Sequence, residues 1–420
     1  MKKVSHSRRR WALALAAPLV LAAAVAPVSA ATASARPHSR TITIALSEPT
    51  SGVEAALAPY GYGMKAYFDQ KDAKGGFHGL KVKVDIFNDS YDGTQALANA
   101  EQAVQQDHVF AFTGIGIPEN DVRAYLNQEK VPQVFVDSAD ITFAAPPKVY
   151  PYSRAWLMSI GDEGYLDAQY LLAHSGGSPK ICTIALAGSL AAELQAGVAT
   201  AVKHAGKGAV LQNATYAITQ PNIDSQVLQL RHAGCTALIA NLAGAGASLM
   251  PAYLGTIGWH PTTFLMNANV SRLTIQAEGP SNYLHIYSAL TSMDPADPKY
   301  AQTSAIERYK EAILKYAPSG TNPSDTFAFD GYLAGEAFGY AIGHMRTVSA
   351  AGLLNAIDGM HHVDIPGLLR GVQLNYGPGG RLMFEAQISR FNGTEWVKVG
   401  RVVSARSAGR IGYSAGLTAS

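Results

Sequence analysis

The sequence predicts an α/β fold of two Rossmann-like lobes, each a parallel sheet covered by helices, and two stretches carry the prediction. From residue 41 to 140, short apolar runs bounded by Gly, Pro and Asn alternate with segments of helix length, and the alternation returns from 181 to 242. At 420 residues the chain is long enough for two domains of ordinary size, each with its own core.

In the first stretch, residues 42–46 read as a strand that Pro49 and Gly52 forbid from continuing. A helix begins near Pro59, with Tyr60, Met64, Tyr67 and Phe68 on one face, and Gly75-Gly76 stops it. Residues 80–87 alternate apolar and polar as a second strand, 88–92 form a turn, and 94–105 a second helix. Strands at 109–113 and 131–136 follow. Ala144-Ala145-Pro146-Pro147 reads as a linker, and 150–156 as an extended segment. The second lobe then runs helix 162–174, strand 181–187, helix 191–204, strand 209–217, helix 225–232 and strand 236–242. Residues 251–257 read as helix, 263–266 and 283–290 as strands, and 302–316, 327–345 and 351–360 as helices. Asn392-Gly393, between two apolar runs within 382–399, is a hairpin signal. The tail after Ser404 reads as flexible.

Five Lys/Arg precede the apolar run 11–25, and Val28-Ser29-Ala30 fits a signal-peptidase site, so residues 1–30 read as a signal peptide of either the general or the twin-arginine kind. The formal charge of +2 less those five gives −3 for the mature chain, which removes the case for nucleic-acid binding. Neither Cys182 nor Cys235 follows the apolar run, so no lipid attachment is expected. Both meet an oxidising environment after export, where a disulfide and two reduced core thiols remain open alternatives.

The order of several motifs resembles a known family. Ser51-Gly52 after the first strand, Tyr60-Gly61 opening the long helix, Gly75-Gly76-Phe77-His78-Gly79 before the second strand and Asn88-Asp89 after it are similar to the extracellular solute-binding proteins of the leucine/isoleucine/valine-binding type, which serve ABC transporters. Val131-Pro132-Gln133-Val134-Phe135, Asp224-Ser225-Gln226-Val227 and Gly258-Trp259-His260-Pro261 extend the resemblance over nearly the whole mature chain. It implies a type I, Venus-flytrap architecture in which three crossings form a hinge. The lobes are expected at 41–153 plus 287–372 and at 154–286 plus 373–404, with 405–420 a flexible tail. It also implies an exported monomer, secreted or periplasmic, that hands a small molecule to an ABC permease and meets the membrane only through it. No cofactor, metal or catalytic step is expected. A ligand-sensing receptor domain of the same fold, or an exported enzyme, are the rival readings.

Catalytic signatures are missing: no Gly-x-Ser-x-Gly, Ser-x-x-Lys, His-Glu-x-x-His, phosphate-binding Gly-x4-Gly-Lys or Cys-x-x-Cys occurs. His361-His362 reads as solvated surface, and Gly244-Ala245-Gly246, lacking its third glycine at Leu249, as a tight turn. Ligands of open parallel sheets sit beyond the carboxyl ends of the strands. The expected cleft loops are therefore 47–60, 114–120 and 137–142 in one lobe, and 188–194, 241–248 and 267–270 in the other. Candidate ligand contacts are Tyr60, Ile117, Glu119, Ser138, Asp140, Trp156, Leu194, Asn241 and Asn267. Tyr60 matches a family position that touches ligand, or is core; Trp156 floors the cleft, or packs the hinge. Amino-acid binders hold the ligand carboxylate with hydroxyls after the third strand, but residues 115–120 have none, and the second-lobe acid expected for an ammonium group falls among Asn267-Ala268-Asn269. With Glu48, Glu119, Asp137 and Asp140 expected at the cleft and only Arg154 as a nearby base, the ligand expected is a less polar or aromatic molecule, neutral or cationic, and not leucine, isoleucine or valine.

Overall fold

A computed structural model of the chain describes residues 40–140 and 148–408; the expected signal peptide, the 144–147 linker, Thr142 and the tail beyond 408 lie outside the described residues. The first half runs β1 (Arg40–Glu48), α1 (Pro59–Ala73), β2 (Leu80–Asn88), α2 (Gly93–Gln105), β3 (Ala111–Gly114), α3 (Glu119–Gln128), β4 (Gln133–Val136) and β5 (Ser153–Ala155). Then come α4 (Ile160–His174), β6 (Lys180–Leu186), α5 (Ser189–Ala205), β7 (Ala209–Tyr216), α6 (Asp224–His232), β8 (Ala237–Ala240), α7 (Ala245–Ser248), α8 (Met250–Thr256), β9 (Thr262–Leu265), α9 (Arg272–Glu278) and β10 (Tyr287–Leu290). The chain closes with α10 (Ser304–Tyr316), α11 (Thr326–His344), α12 (Ala350–Asp358), β11 (Leu374–Gly377), β12 (Arg381–Met383), β13 (Glu385–Phe391), β14 (Trp396–Lys398) and β15 (Val403–Ser404).

Two sheets result, in the orders β11-β12-β5-β4-β3-β1-β2 and β14-β13-β10-β9-β8-β6-β7, with β15 beside β13. Pairing is parallel through β1 to β5 and β6 to β10, and antiparallel only where β11, β13, β14 and β15 join. Because both faces are covered, central strands such as β8 and β4 are buried along their whole length.

Sheet membership corrects the expected lobe boundaries. Tyr287–Leu290 pairs with Phe264 in the second sheet, although 287–372 was assigned to the first lobe. Arg381 pairs with Ala155, so β11 and β12 belong to the first sheet, although 373–404 was assigned to the second lobe. These strands have three or four residues, and their sheet is decided by a partner far away in sequence. The chain thus crosses between sheets after Ala155, after Leu290 and at Phe384. The expected tail begins later than Ser404 as well: Ala405–Ala408 is a short 3-10 turn, Ala405 is buried, and Arg406 donates to the Asn375 carbonyl at 3.0 Å.

The cores are not separate either. One apolar cluster runs from Ile44 and Val134 through Trp156, Met158 and Ile160 to Ile239 and Phe264, joining both sheets at the hinge. The crossing segments are themselves apolar, so the hinge is packed rather than solvated. Helices α1 and α11 touch backbone to backbone: a Cβ on Gly63 would run into the Ala328 carbonyl, and one on Gly331 into that of Tyr60. That contact fixes Asp330 beside the carboxyl end of the first sheet. Among the described residues no helix is long and apolar enough to cross a membrane.

Candidate functional site

The loops that leave the carboxyl ends of the two sheets meet. Ile117, after β3, packs on the apolar cluster of the second sheet. Asp140, after β4, accepts hydrogen bonds from Asn120 Nδ2 at 2.9 Å and, across the gap, from Ser189 Oγ at 2.5 Å. Ser189 opens α5, whose preceding Gly188 at φ 121° offers no side chain to cap it. The Asp140 carboxylate therefore supplies negative charge at a helix amino end from the opposite lobe. Ser138 supports it by accepting from the Asp140 backbone N–H at 3.3 Å.

On the second-lobe side, Asn241 accepts from the Tyr216 hydroxyl through its carbonyl at 3.0 Å, and its Oδ1 is buried without a partner among the described residues. The Asn267 backbone N–H donates to Glu163 Oε1 at 2.5 Å, and its Nδ2 to Thr291 Oγ1 at 3.3 Å. Asn267 and Asp330 line the same cavity, of about 50 Å³, between the loop after β9 and the start of α11. Such a space admits a few waters, not a whole organic ligand.

Carboxyl groups dominate this region. Burial raises the Asp137 pKa to about 7, and burial together with Asp137 holds Asp330 well above the carboxylate range. On α4, burial lifts Glu163 to about 8 against the pull of the Asn267 N–H. Asp167, one turn on and fully buried, is pushed well up by burial and by Glu163, and neither of its oxygens has a partner among the described residues. Desolvation without a counter-ion keeps such groups protonated.

The structure places six of the residues named for the cleft away from its surface. Glu48 and Glu119 are fully buried within the first lobe instead of facing the cleft, and burial raises both pKa values well above normal. Glu48 Oε2 accepts the Gly61 N–H at 2.7 Å, and Gln133 Nε2 donates to the Glu119 carbonyl at 2.8 Å. Asp89 lies near them and accepts from Ser47 Oγ at 2.8 Å; among the described residues no group of three acids, His or Cys is placed to hold a metal. Tyr60 is fully buried, its hydroxyl donating to the Phe135 carbonyl at 2.8 Å, which favours the core reading. Leu194 is fully buried in the main core and packs where a side chain on Gly164 would stand, so it joins α5 to α4 rather than lining a cleft. Trp156 is 1% exposed inside the hinge core, with Nε1 lacking a partner among the described residues. Arg154 is no cleft cation: its Nε and Nη2 donate to the two Asp358 carboxylate oxygens at 2.6 and 3.0 Å.

Tyr60→Phe is accordingly expected to cost about 1 kcal/mol of stability, the worth of one buried hydrogen bond, with ligand affinity held within roughly twofold. Urea unfolding and calorimetry on the same variant check both halves. The sequence reading missed Ser189, Glu163 and Asp330. Asp330 did leave a signal, one of two carboxylates, with Glu336, in the mostly apolar α11. A second tie missed is Arg381, which donates to Ser159 Oγ at 3.1 Å and to Asp162, fastening β12 to the start of α4.

The chain matches the model of the periplasmic binding protein family over residues 41–394. No curated protein sequence matches it. Among solved structures it is similar to a branched-chain amino acid ABC transporter protein from Thermus thermophilus with bound valine, at 16% identity and a TM-score of 0.76, covering 89% of this chain and 99% of that one. A fatty acid ABC transporter substrate-binding protein from Thermomonospora curvata is 16% identical with a TM-score of 0.71, over 88% and 94%. A Rhodopseudomonas palustris BisB5 solute-binding protein in complex with 3,4-dihydroxybenzoic acid is 14% identical with a TM-score of 0.68, over 87% and 98%. The second of these neighbours is described as a substrate-binding protein and the third as a solute-binding protein, each of an ABC transporter. With two parallel sheets joined by three crossings and a family match over most of its length, the chain belongs to the periplasmic binding protein family, in the type I fold of ABC-transporter solute-binding proteins.

Proposed function

We propose that this chain is the exported, monomeric receptor of an ABC importer, and that its ligand is a small neutral or cationic molecule, aromatic or of low polarity, rather than leucine, isoleucine or valine. The observation that carries the ligand class is the set of Asp137, Asp330 and Asp140 where the lobes meet, with Asp140 already occupying the amino end of α5. A ligand carboxylate placed beside the Asp140 carboxylate would meet like charge at about 4 Å, a cost on the order of 4 kcal/mol at an effective dielectric near 20. An amine, amide or hydroxyl donor instead takes the place of the proton that Asp137 and Asp330 retain. Ile117, Ser138, Asp140, Asn241 and Asn267 are the contacts proposed at the rim, while Tyr60, Trp156, Leu194 and Glu119 support them from the core. Ligand binding closes the lobes, and the permease reads the closed form.

A thermal-shift and calorimetric screen of the mature chain against amino acids, aromatic acids, amides and amines tests the proposal. A donor-bearing ligand should raise the melting temperature, and Asp330→Asn should weaken it by about tenfold. For a cation, affinity should rise as pH passes through about 7, where Asp137 loses its proton. Micromolar binding of leucine, isoleucine or valine would sink the ligand class and leave the transporter assignment standing.

A further inference from the structure

The second lobe carries another cavity, at the end away from the cleft. It opens beside Thr262 and Tyr287, the first residues of β9 and β10, whereas the cleft loops leave the carboxyl ends of the strands. Its volume is about 340 Å³, within the range of roughly 300–1,000 Å³ typical of small-molecule sites. Trp259, Leu284 and Tyr287 give it an apolar, aromatic wall, and Arg390, His285 and His260 a basic one. No Asp or Glu lines it, in contrast to the acidic cleft.

Arg390 is the centre of the argument. It is half-buried, it pairs with no carboxylate among the described residues, and its Nε is buried without a hydrogen-bond partner. The guanidinium lies over the Tyr287 ring, 5.8 Å from its centre, and its Nη2 rests against His285 Nδ1. A guanidinium only donates, so Nδ1 accepts, the imidazole proton sits on Nε2, and the ring holds the guanidinium in place. His285 reaches this position from a left-handed backbone at φ 73°, uncommon for a residue with a side chain. A partly desolvated cation without a counter-ion is unfavourable, and an oxyanion relieves it through charge-assisted hydrogen bonds.

We propose that this cavity binds a small organic carboxylate, its oxyanion on Arg390, which His285 holds in place, and its apolar body against Trp259 and Tyr287. The site is independent of the cleft and takes the opposite charge.

The test is calorimetric titration of the mature chain with benzoate, with benzyl alcohol and inorganic phosphate as comparisons, and with Trp259 fluorescence read against a Trp259→Phe variant to locate the binding. Benzoate should bind and quench Trp259, benzyl alcohol should not bind, and phosphate should bind about tenfold more weakly because it lacks the apolar body. Arg390→Gln should weaken benzoate by about tenfold or more. His285→Gln, at an exposed side chain whose loss leaves the core intact, should do so as well. No benzoate binding to the native chain, binding that survives both substitutions, binding without Trp259 quenching, or phosphate binding as tight as benzoate each overturns the assignment.

Discussion

The ligand-free protein should be more stable near pH 5 than near pH 8, and its melting temperature should fall by several degrees between the two. The folded pKa of Asp137, raised to about 7, and those of Glu163 and Glu336, raised to about 8 and about 7, lie above unfolded values of 3.8 to 4.5. Between the two pKa values of each group the folded chain binds more protons than the unfolded one, so stability drops as pH rises through that window. Each pKa unit corresponds to about 1.4 kcal/mol, which makes Asp137 alone worth on the order of 2 to 4 kcal/mol after structural relaxation. Asp167→Asn isolates the cause, because the amide mimics the protonated acid at a fully buried site where both oxygens lack partners. At pH 8 the substitution should stabilise by about 1 to 3 kcal/mol, with little change at pH 5. A melting temperature flat from pH 5 to 8, or an Asp167→Asn variant less stable at both, would show that these carboxyls ionise at ordinary values.

Removing the disulfide should have an effect of similar size. Cys182 in β6 and Cys235 just before β8 are joined, with Cα atoms 5.9 Å apart and a sequence separation of 53. Closing a loop of that length restricts the unfolded chain by about 4 kcal/mol in the entropic account, and native bridges are typically worth about 2 to 5 kcal/mol. The Cys182→Ala, Cys235→Ala double variant should therefore unfold at a clearly lower denaturant concentration, and reductant should move the native chain the same way but leave the variant alone. Coincident unfolding curves, or two alkylatable thiols in the oxidised protein, would contradict it.

The sequence by itself determined the two-lobe α/β plan and most of its elements. Strands buried on both faces must be apolar along their length, so β4, β6 and β8 stand out between turn residues, and α1 shows its buried Tyr60, Met64 and Phe68 by spacing alone. The hairpin at Asn392-Gly393 was legible because the turn's chemistry is local: Asn392 Oδ1 accepts the Thr394 and Glu395 N–H groups, and Phe391 pairs with Trp396. The tertiary structure decided what depends on distant partners. Three-residue β12 is claimed by Ala155 and not by its neighbour β13, and the cysteines meet because β6 lies beside β8. Charge direction was undecided too. Glu119 turns inward beside Gln133, Arg154 is taken by Asp358, and Asp330 reaches the cleft only because two glycines let α1 and α11 touch. Periodicity shows which face of an element is apolar, but a polar side chain's surroundings are set by elements hundreds of residues away, and those surroundings fix its charge.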